Sequence, residues 1–296
     1  MKLSELGEER LLKRLLPHLP TNKAVVSGAG DDCAVVRLPG AKELLLLKTD
    51  CVVEGVHFTA EAKASAVGWK AMARPLSDFA AMAGVPQFAL VTLIAPASTT
   101  VGWTTELYRG LAKAARAFEV AIVGGETSST RGPIAISVSL TGVVEKDRWV
   151  SRSGGKAGDE LFVTGRLGGS RGGRHLRFRP RIEEARWLTA NFRVHAMMDL
   201  SDGLGADLPR LARASGVGFE VQEESLPRTR GCTVAQAVSD GEDYELLFAV
   251  SPNDSAALQK TWKKKFPTLL LTCIGRFNRR SKIEDQKFPS GYVHFQ

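Results

Sequence analysis

The sequence is poor in cysteine, with four such residues among 296. They are scattered and form no C-x-x-C pair, the spacing typical of structural zinc sites. Four isolated cysteines also do not match the disulfide scaffold of a small secreted protein. We therefore expect a chain without structural zinc, located in a reducing, cytoplasmic compartment. The cysteines are Cys33, Cys51, Cys232 and Cys273.

Long apolar runs are absent as well. No apolar run approaches the roughly 20 residues that a membrane-spanning helix needs. Residues 1–20 are charged throughout and lack the uninterrupted apolar core of a signal peptide. The sequence therefore predicts neither a membrane segment nor a signal peptide.

Acidic residues are outnumbered by basic ones. Lys and Arg total 40 and Asp and Glu total 32, which gives a net charge of +8. Such an excess favours acidic partners, including nucleotides and phosphorylated metabolites. Arginines recur between residues 171 and 181, but only Phe178 and Trp187 lie near them and no nucleic-acid recognition motif accompanies them. We therefore expect no nucleic-acid partner.

Strand-like and helix-like segments alternate along the chain, which predicts a mixed α and β fold. Residues 44–47 form a continuous apolar run, and residues 134–141 alternate between apolar and polar, as a half-buried strand does. A helix-like stretch over residues 65–83 is expected to be interrupted at Pro75. The polar, glycine-bearing residues 145–159 suggest a boundary between two domains, 1–145 and 146–296.

Acidic residues follow apolar or glycine-rich segments at four places along the chain. Open α/β sheets usually build their sites where strands end. Any one of these acids is also explained by an ordinary turn. A cluster of carboxylates is costly to bury unless cations offset it, and oxygen ligands without Cys or His favour Mg²⁺. The four places are Asp31 with Asp32, Asp50, Glu126, and Asp199 with Asp202.

Asp78 is a fifth acid, surrounded by small and apolar residues. An ionised carboxylate there needs a partner. Arg74, one helical turn earlier, and a bound metal ion are both compatible with the pattern.

A phosphate-binding loop is not recognisable. Residues 168–175 imitate the pattern G-x-x-x-x-G-K-[ST], but Arg174 and His175 replace the lysine and the hydroxyl residue. The metal-binding hydroxyl is thus missing, and no kinase-type glycine-rich loop has a matching lysine. Nucleotide binding is therefore expected to depend on metal ions and backbone amides.

Read in order, the motifs of this chain resemble those of the thiamine-monophosphate kinases, in the superfamily that includes aminoimidazole ribonucleotide synthetase. The most specific are TDCVVEGVHF at 49–58, the SDFAAM part of 68–86, and GEDYELLF at 241–248. Further matches are GAGDDCAVV at 28–36, GGETS at 124–128, SRSGGKAGDELFVTG at 151–165 and MDLSDGLGADL at 198–208.

The resemblance implies a two-domain α/β (α+β) fold whose N-terminal sheet pairs across a homodimer. It implies direct transfer of the γ-phosphoryl group of ATP to thiamine monophosphate, which gives thiamine diphosphate, without a protein nucleophile. By position, Mg²⁺ ions would be held by Asp32, Thr49, Asp50, Asp78, Glu126, Asp199 and Asp202. ATP would contact Gly125, Ser201 and Arg152, the last acting electrostatically, and the substrate would contact His57 and Glu242.

Some positions depart from the family pattern. Glu126 and Asp240 stand where the family usually has Asp and Gly, and the segment after Gly165 is shorter than usual. The aromatic residue that covers thiamine has no clear match, with Phe288 and Tyr292 as candidates. These departures leave two alternatives open, another ATP-using activity of the superfamily and a non-catalytic nucleotide-binding protein.

Overall fold

The computed structural model describes residues 2–279 and residue 291. Phe288 and Tyr292, the candidates for covering thiamine, lie outside the described residues. In the described part of the chain, no helix is both long and apolar enough to cross a membrane.

The first half of the chain builds a six-stranded sheet in the order β1-β2-β3-β6-β4-β5. Neighbouring strands are antiparallel except for the parallel pair β4 and β5. The strands are β1 (Val25–Ser27), β2 (Ala34–Val36), β3 (Glu43–Val53), β4 (Val85–Pro96), β5 (Ala121–Thr130) and β6 (Ala135–Glu145). The apolar–polar alternation that predicted a strand continues through β6, where every second side chain is buried.

Helices α1 (Leu3–Leu6) and α2 (Glu8–Leu15) precede the sheet, and α3 (Ala64–Ala81) and α4 (Val101–Ala117) pack against each other beside it. The interruption predicted at Pro75 is wrong, because α3 runs through this residue. Fourteen of the eighteen residues of α3 are buried, so tertiary packing outweighs the hydrogen bond that proline cannot donate. The helix ends before Ala83 and Gly84.

The second half of the chain forms a five-stranded antiparallel sheet in the order β8-β10-β7-β11-β9. Its strands are β7 (Glu160–Thr164), β8 (Val194–Asp199), β9 (Gly218–Val221), β10 (Leu246–Val250) and β11 (Leu271–Asn278). The helices of this half are α5 (Ile182–Asn191), α6 (Leu204–Ser215), α7 (Val234–Ser239) and α8 (Pro252–Lys265).

Helix α3 connects the two sheets. Its inner side packs in the core of the first sheet, whereas Ala80 near its end, and Ala83 just after it, belong to a cluster with Phe162 and Phe248 of the second. The first sheet ends at Glu145 and the second begins at Glu160, and the division into domains at residue 145 remains a prediction. Because α3 carries Asp78, this acid lies where the two halves meet.

Candidate functional site

Three of the predicted metal ligands converge at the junction of the two sheets. One carboxylate oxygen each of Asp32, Asp78 and Asp199 lies within 4.8 Å of the others, and all three residues are buried. Asp32 precedes β2, Asp78 lies in α3, and Asp199 is the last residue of β8. Acids that are up to 167 residues apart in sequence, from Asp32 to Asp199, therefore share one site.

The donor set of this cluster fits a divalent cation. Asp32 is 1% exposed, and its Oδ2 atom is buried without a hydrogen-bond partner. An unpaired buried carboxylate oxygen is costly, and a cation between the three acids would satisfy it. Oxygen ligands of this kind are those that Mg²⁺ prefers.

The electrostatics of the cluster reflect its burial. Burial, together with the charge of Asp32, raises the pKa of Asp199 to about 7, although Ser77 Oγ donates a 2.6 Å hydrogen bond to its Oδ2. Burial also raises the pKa of Asp78 well above its ordinary value. A cation bound among these acids would favour their ionised forms.

Asp50 approaches the cluster from inside β3, not from a strand end. The prediction that acids mark segment ends is wrong for Asp50 and for Glu126, which lies inside β5. Side chains alternate between the two faces of the sheet along β3, and this alternation points Asp50 inward although the residue does not end the strand. Asp199, which ends β8, follows the predicted arrangement.

Basic side chains of the protein accompany these acids. Lys48 Nζ lies 2.9 Å from Asp78 Oδ1. Arg74, the residue considered as a partner of Asp78, instead donates to the Cys51 carbonyl at 2.8 Å and lies 3.9 Å from Asp50. Burial alone would raise the pKa of Asp50, but Lys48 and Arg74 hold it below its ordinary value.

Two arginines from the second half complete this set of charges. Arg152 donates from Nη2 to Asp32 Oδ1 at 2.5 Å, which places its guanidinium beside the acid cluster. Arg210, in α6, donates to Asp202 and, at 2.9 Å, to Asp207. The sequence predicted a role for Arg152, whereas Arg210 was missed.

Most of these charged groups, but not Asp32 and Asp207, line a cavity of about 220 Å³, which we call the charged cavity. Its basic residues are Lys48, Arg74, Arg152 and Arg210, and its acids include Asp50, Asp78, Asp199 and Asp202. Opposed charges of this kind can hold a polyanion together with cations.

A larger cavity of about 610 Å³ adjoins it, and we call it the acceptor cavity. The two cavities share four wall residues, Arg74, Ser201, Asp202 and Tyr244. His57 and Glu242 both line the acceptor cavity, so the two predicted substrate residues lie together. The same wall places Ser201, a predicted ATP contact, beside both cavities.

Glu242 is held by two residues that the sequence did not indicate. Lys70, which solvent does not reach, donates to Glu242 Oε1 at 2.5 Å and to the His57 carbonyl at 2.6 Å. His175 Nδ1 lies 3.1 Å from Glu242 Oε2. Burial alone would raise the pKa of Glu242, but His175 and Lys70 bring it down to about 2.

The imitation of a phosphate loop at residues 168–175 has another role. The amides of Gly168 and Gly169 donate to the carboxylates of Asp243 and Asp240, so two acids of the chain occupy the donors that a phosphate would need. The same segment contributes Arg171, Gly173 and His175 to the wall of the acceptor cavity. Asp240, which stands where the family usually has glycine, thus holds the loop of residues 168–175 beside the acceptor cavity.

Thr49, Gly125 and Glu126 are not brought to the cluster within one chain. The Thr49 hydroxyl is on the outer face of the first sheet, 3.1 Å from Ser139 Oγ. Gly125 lies in the same row of the sheet as Asp50 but three strands away, roughly 14 Å at the usual strand spacing. A Cβ at Gly125 would lie 1.8 Å from the Val91 carbonyl oxygen, which explains the glycine.

A sequence signal existed for some of the missed residues. Lys70, Arg74 and Asp78 recur every four residues in a segment that is otherwise small and apolar, which places them on one side of a helix. Lys48 precedes Asp50 by two residues on the same strand, so both point to one face. Arg210 also had a local signal, because it follows Asp207 by three residues on the same helix. His175 had none, because its partner Glu242 is remote in sequence.

Comparison with known proteins gives the same fold and family. Residues 30–144 match the family described as AIR synthase related protein, N-terminal domain, and residues 150–267 match the corresponding C-terminal domain. The thiamine-monophosphate kinase of Rhodopirellula baltica is 40% identical over 291 residues, covering 91% of this chain and 92% of that protein. The thiamine-monophosphate kinase of Aquifex aeolicus is 35% identical over the full length of both chains.

Solved structures agree with the sequence relatives. The structure described as "AaThiL complexed with AMPPCP and TMP" superposes with a TM-score of 0.85 at 34% identity, covering 99% of each chain. The predicted two-domain fold and the resemblance in sequence are therefore confirmed. The chain belongs to the AIR synthase related family, and within it to the thiamine-monophosphate kinases.

Proposed function

We propose that this protein phosphorylates thiamine monophosphate with ATP and releases thiamine diphosphate and ADP. The bond between the γ-phosphorus and the β–γ bridging oxygen breaks, and a bond forms from that phosphorus to an oxygen of the thiamine phosphate. The observation that carries the proposal is the wall shared by the charged and acceptor cavities. It gives two phosphorylated molecules adjoining sites, and the superposed relative is described with AMPPCP, an ATP analogue, and TMP.

The chemistry requires positive charge more than a nucleophile. Donor and acceptor phosphates repel each other, and phosphoryl transfer is accelerated mainly by positioning and electrostatic stabilisation. Arg152, as a predicted ATP contact, would provide this through its planar guanidinium, whose Nε atom is buried without a partner. Arg74, in the shared wall, is placed to contact phosphate groups from either cavity.

Mg²⁺ would be held by Asp32, Asp78 and Asp199, with Asp50 and Asp202 in the wall of the charged cavity. Bound there, the ion would offset the charge of the phosphate oxygens. The acids orient it from three separate elements, and burial limits the access of water to them.

The acceptor cavity would receive thiamine monophosphate. Its volume of about 610 Å³ is in the range of small-molecule sites. His57 and Glu242 line it, and the low pKa of Glu242 keeps this carboxylate ionised beside a cationic substrate. Tyr244, in the shared wall, would separate the thiamine from the charged cavity.

A homodimer through the first sheet would account for Gly125 and Glu126. The outer face of this sheet exposes large apolar side chains in β3, β4 and β5, namely Leu47, Phe88, Leu90 and Val123, which are 37–59% exposed. Contiguous exposed apolar residues of this kind are typical of interfaces. In such a dimer the edge strand β5 would meet the second copy, and Gly125, Glu126 and the outward Thr49 would act at the interface.

One observation favours the alternative of a nucleotide-binding protein without turnover. Asp32, Asp78 and Asp202 each pair with a basic side chain of the chain itself, which could weaken metal binding. Incubating the purified protein with ATP, Mg²⁺ and thiamine monophosphate separates the two. Thiamine diphosphate and ADP in equal amounts support the kinase; ATP binding without thiamine diphosphate supports the alternative. The cytoplasmic location remains a prediction.

A further inference from the structure

A lysine lies among the carboxylates of the charged cavity. Lys48 points inward from β3, between Leu46 and Asp50 on the same face of the strand. Its Nζ atom lies 2.9 Å from Asp78 Oδ1, and only 21% of its side chain and 9% of that of Asp78 are exposed. The ammonium group is therefore a built-in part of the acid cluster.

The pair changes what the cluster offers to a metal ion. The lysine occupies Oδ1 of Asp78, while Oδ2 of Asp32, another member of the triad, is buried without a partner. An ammonium group and a divalent ion on the same carboxylate oxygen would repel each other at short range. The unpartnered oxygen of Asp32 thus remains for an ion, whereas the oxygen that Lys48 contacts does not.

We propose that Lys48 is a fixed cation of the site, which takes a position among the acids that a divalent ion would otherwise fill. The protein thereby supplies from its own chain one of the positive charges that neighbouring phosphates require. A divalent ion then binds between Asp32, Asp199 and the oxygen of Asp78 that Lys48 does not contact. This inference rests on the proposed function only where it says that the charge of Lys48 offsets phosphate charge. The contact between Lys48 and the acids is a property of the protein alone.

The test counts Mn²⁺ ions bound by the protein without ATP or thiamine monophosphate, from the electron paramagnetic resonance signal of free Mn²⁺. Lys48→Gln keeps the length of the side chain but removes its charge, and we expect it to bind one more Mn²⁺ per chain than the unmodified protein. Lys48→Arg, which keeps the charge, and Lys42→Gln, at an exposed lysine before β3, are expected to bind the unmodified number. Equal numbers for Lys48→Gln and the unmodified protein overturn the proposal.

A second measurement does not depend on a variant that folds. Crystals of the unmodified protein are soaked in Mn²⁺, and the ions are located by anomalous scattering. A Lys48–Asp78 pair that stays intact supports the proposal, and an ion on Asp78 Oδ1 with Lys48 turned away overturns it. Since neither measurement uses substrates, a failure of kinase turnover would contradict the proposed function and leave the assignment of Lys48 standing.

Discussion

The Nζ atom of Lys70 lies 2.5 Å from Oε1 of Glu242, a residue 172 positions later in the chain. The contact joins α3 to the segment before β10 and sets the position of a carboxylate in the wall of the acceptor cavity. Burial lowers the pKa of Lys70 to about 8, although Glu242 opposes this shift, so both groups are charged at neutral pH. Glu242 also has a left-handed backbone, with φ of 54°, which a non-glycine residue adopts at some cost.

Lys70→Met is expected to weaken binding of the thiamine substrate. Without the ammonium group, Glu242 loses one of its two partners and is less firmly oriented, while the charged cavity keeps all of its lining. We expect KM for thiamine monophosphate to rise about tenfold, equivalent to about 1.4 kcal/mol, with a smaller change in KM for ATP. Steady-state kinetics with each substrate varied in turn measure both constants.

Lys263→Met, at an exposed position in α8, serves as the matched control and is expected to change neither constant. If Lys70→Met is too unstable for kinetics, the double variant Lys70→Met/Glu242→Gln removes the uncompensated charge and is expected to recover part of the stability. An unchanged KM for thiamine monophosphate in Lys70→Met would contradict the positioning role.

Glu242→Gln is expected to reduce the loss of stability in acid. The folded protein holds the pKa of Glu242 at about 2, below its ordinary value of 4.5. The stabilisation from its ionised form is therefore complete above about pH 4.5 and is lost as the pH falls towards 2, in total about 3 kcal/mol. Urea unfolding at a series of pH values measures this difference between the unmodified protein and the variant. Parallel curves for the two proteins from pH 5 to pH 2 would show that Glu242 does not contribute.

Asp78→Asn and Asp50→Asn are each expected to abolish turnover, with a fall of at least about 100-fold. Each removes a negative charge from the cavity that would hold Mg²⁺ and the phosphates, without a change in side-chain size. Formation of thiamine diphosphate is measured alongside near-ultraviolet circular dichroism, which should show an intact fold. Asp147→Asn, in an exposed turn after β6, is the control. Near-normal rates in both site variants would refute the ligand roles.

Charge on the outer face of the first sheet is expected to separate the proposed dimer. Leu90→Lys and Val123→Lys place an ammonium group at positions that are 49% and 59% exposed in a single chain. Burying these charges in an apolar interface is costly, so we expect monomers in sedimentation velocity experiments. Val101→Lys, at an 83% exposed residue that begins α4, should leave the association state unchanged. If the unmodified protein itself sediments as a monomer, the proposal of a homodimer is wrong.

Much of the fold could be predicted from the sequence, because local patterns carry it. The alternation along β6 and the apolar run at residues 44–47 in β3 matched strands, and the polar stretch 145–159, except for its first residue, lies between the two sheets. The continuity of α3 through Pro75 could not be predicted, because the cost of proline is local whereas the burial that outweighs it comes from two sheets.

For the candidate site, the residue types and motifs along the chain were enough to name the available acids and the family to which the chain belongs. Tertiary structure alone decided which side chains meet. It brought Asp32, Asp78 and Asp199 together, left Thr49 and Glu126 on the sheet of a single chain, and placed Lys48 and Lys70 against carboxylates. The physical reason is that residue types and local periodicity are written along the chain, whereas a charge pair between remote segments depends on how helices and sheets pack.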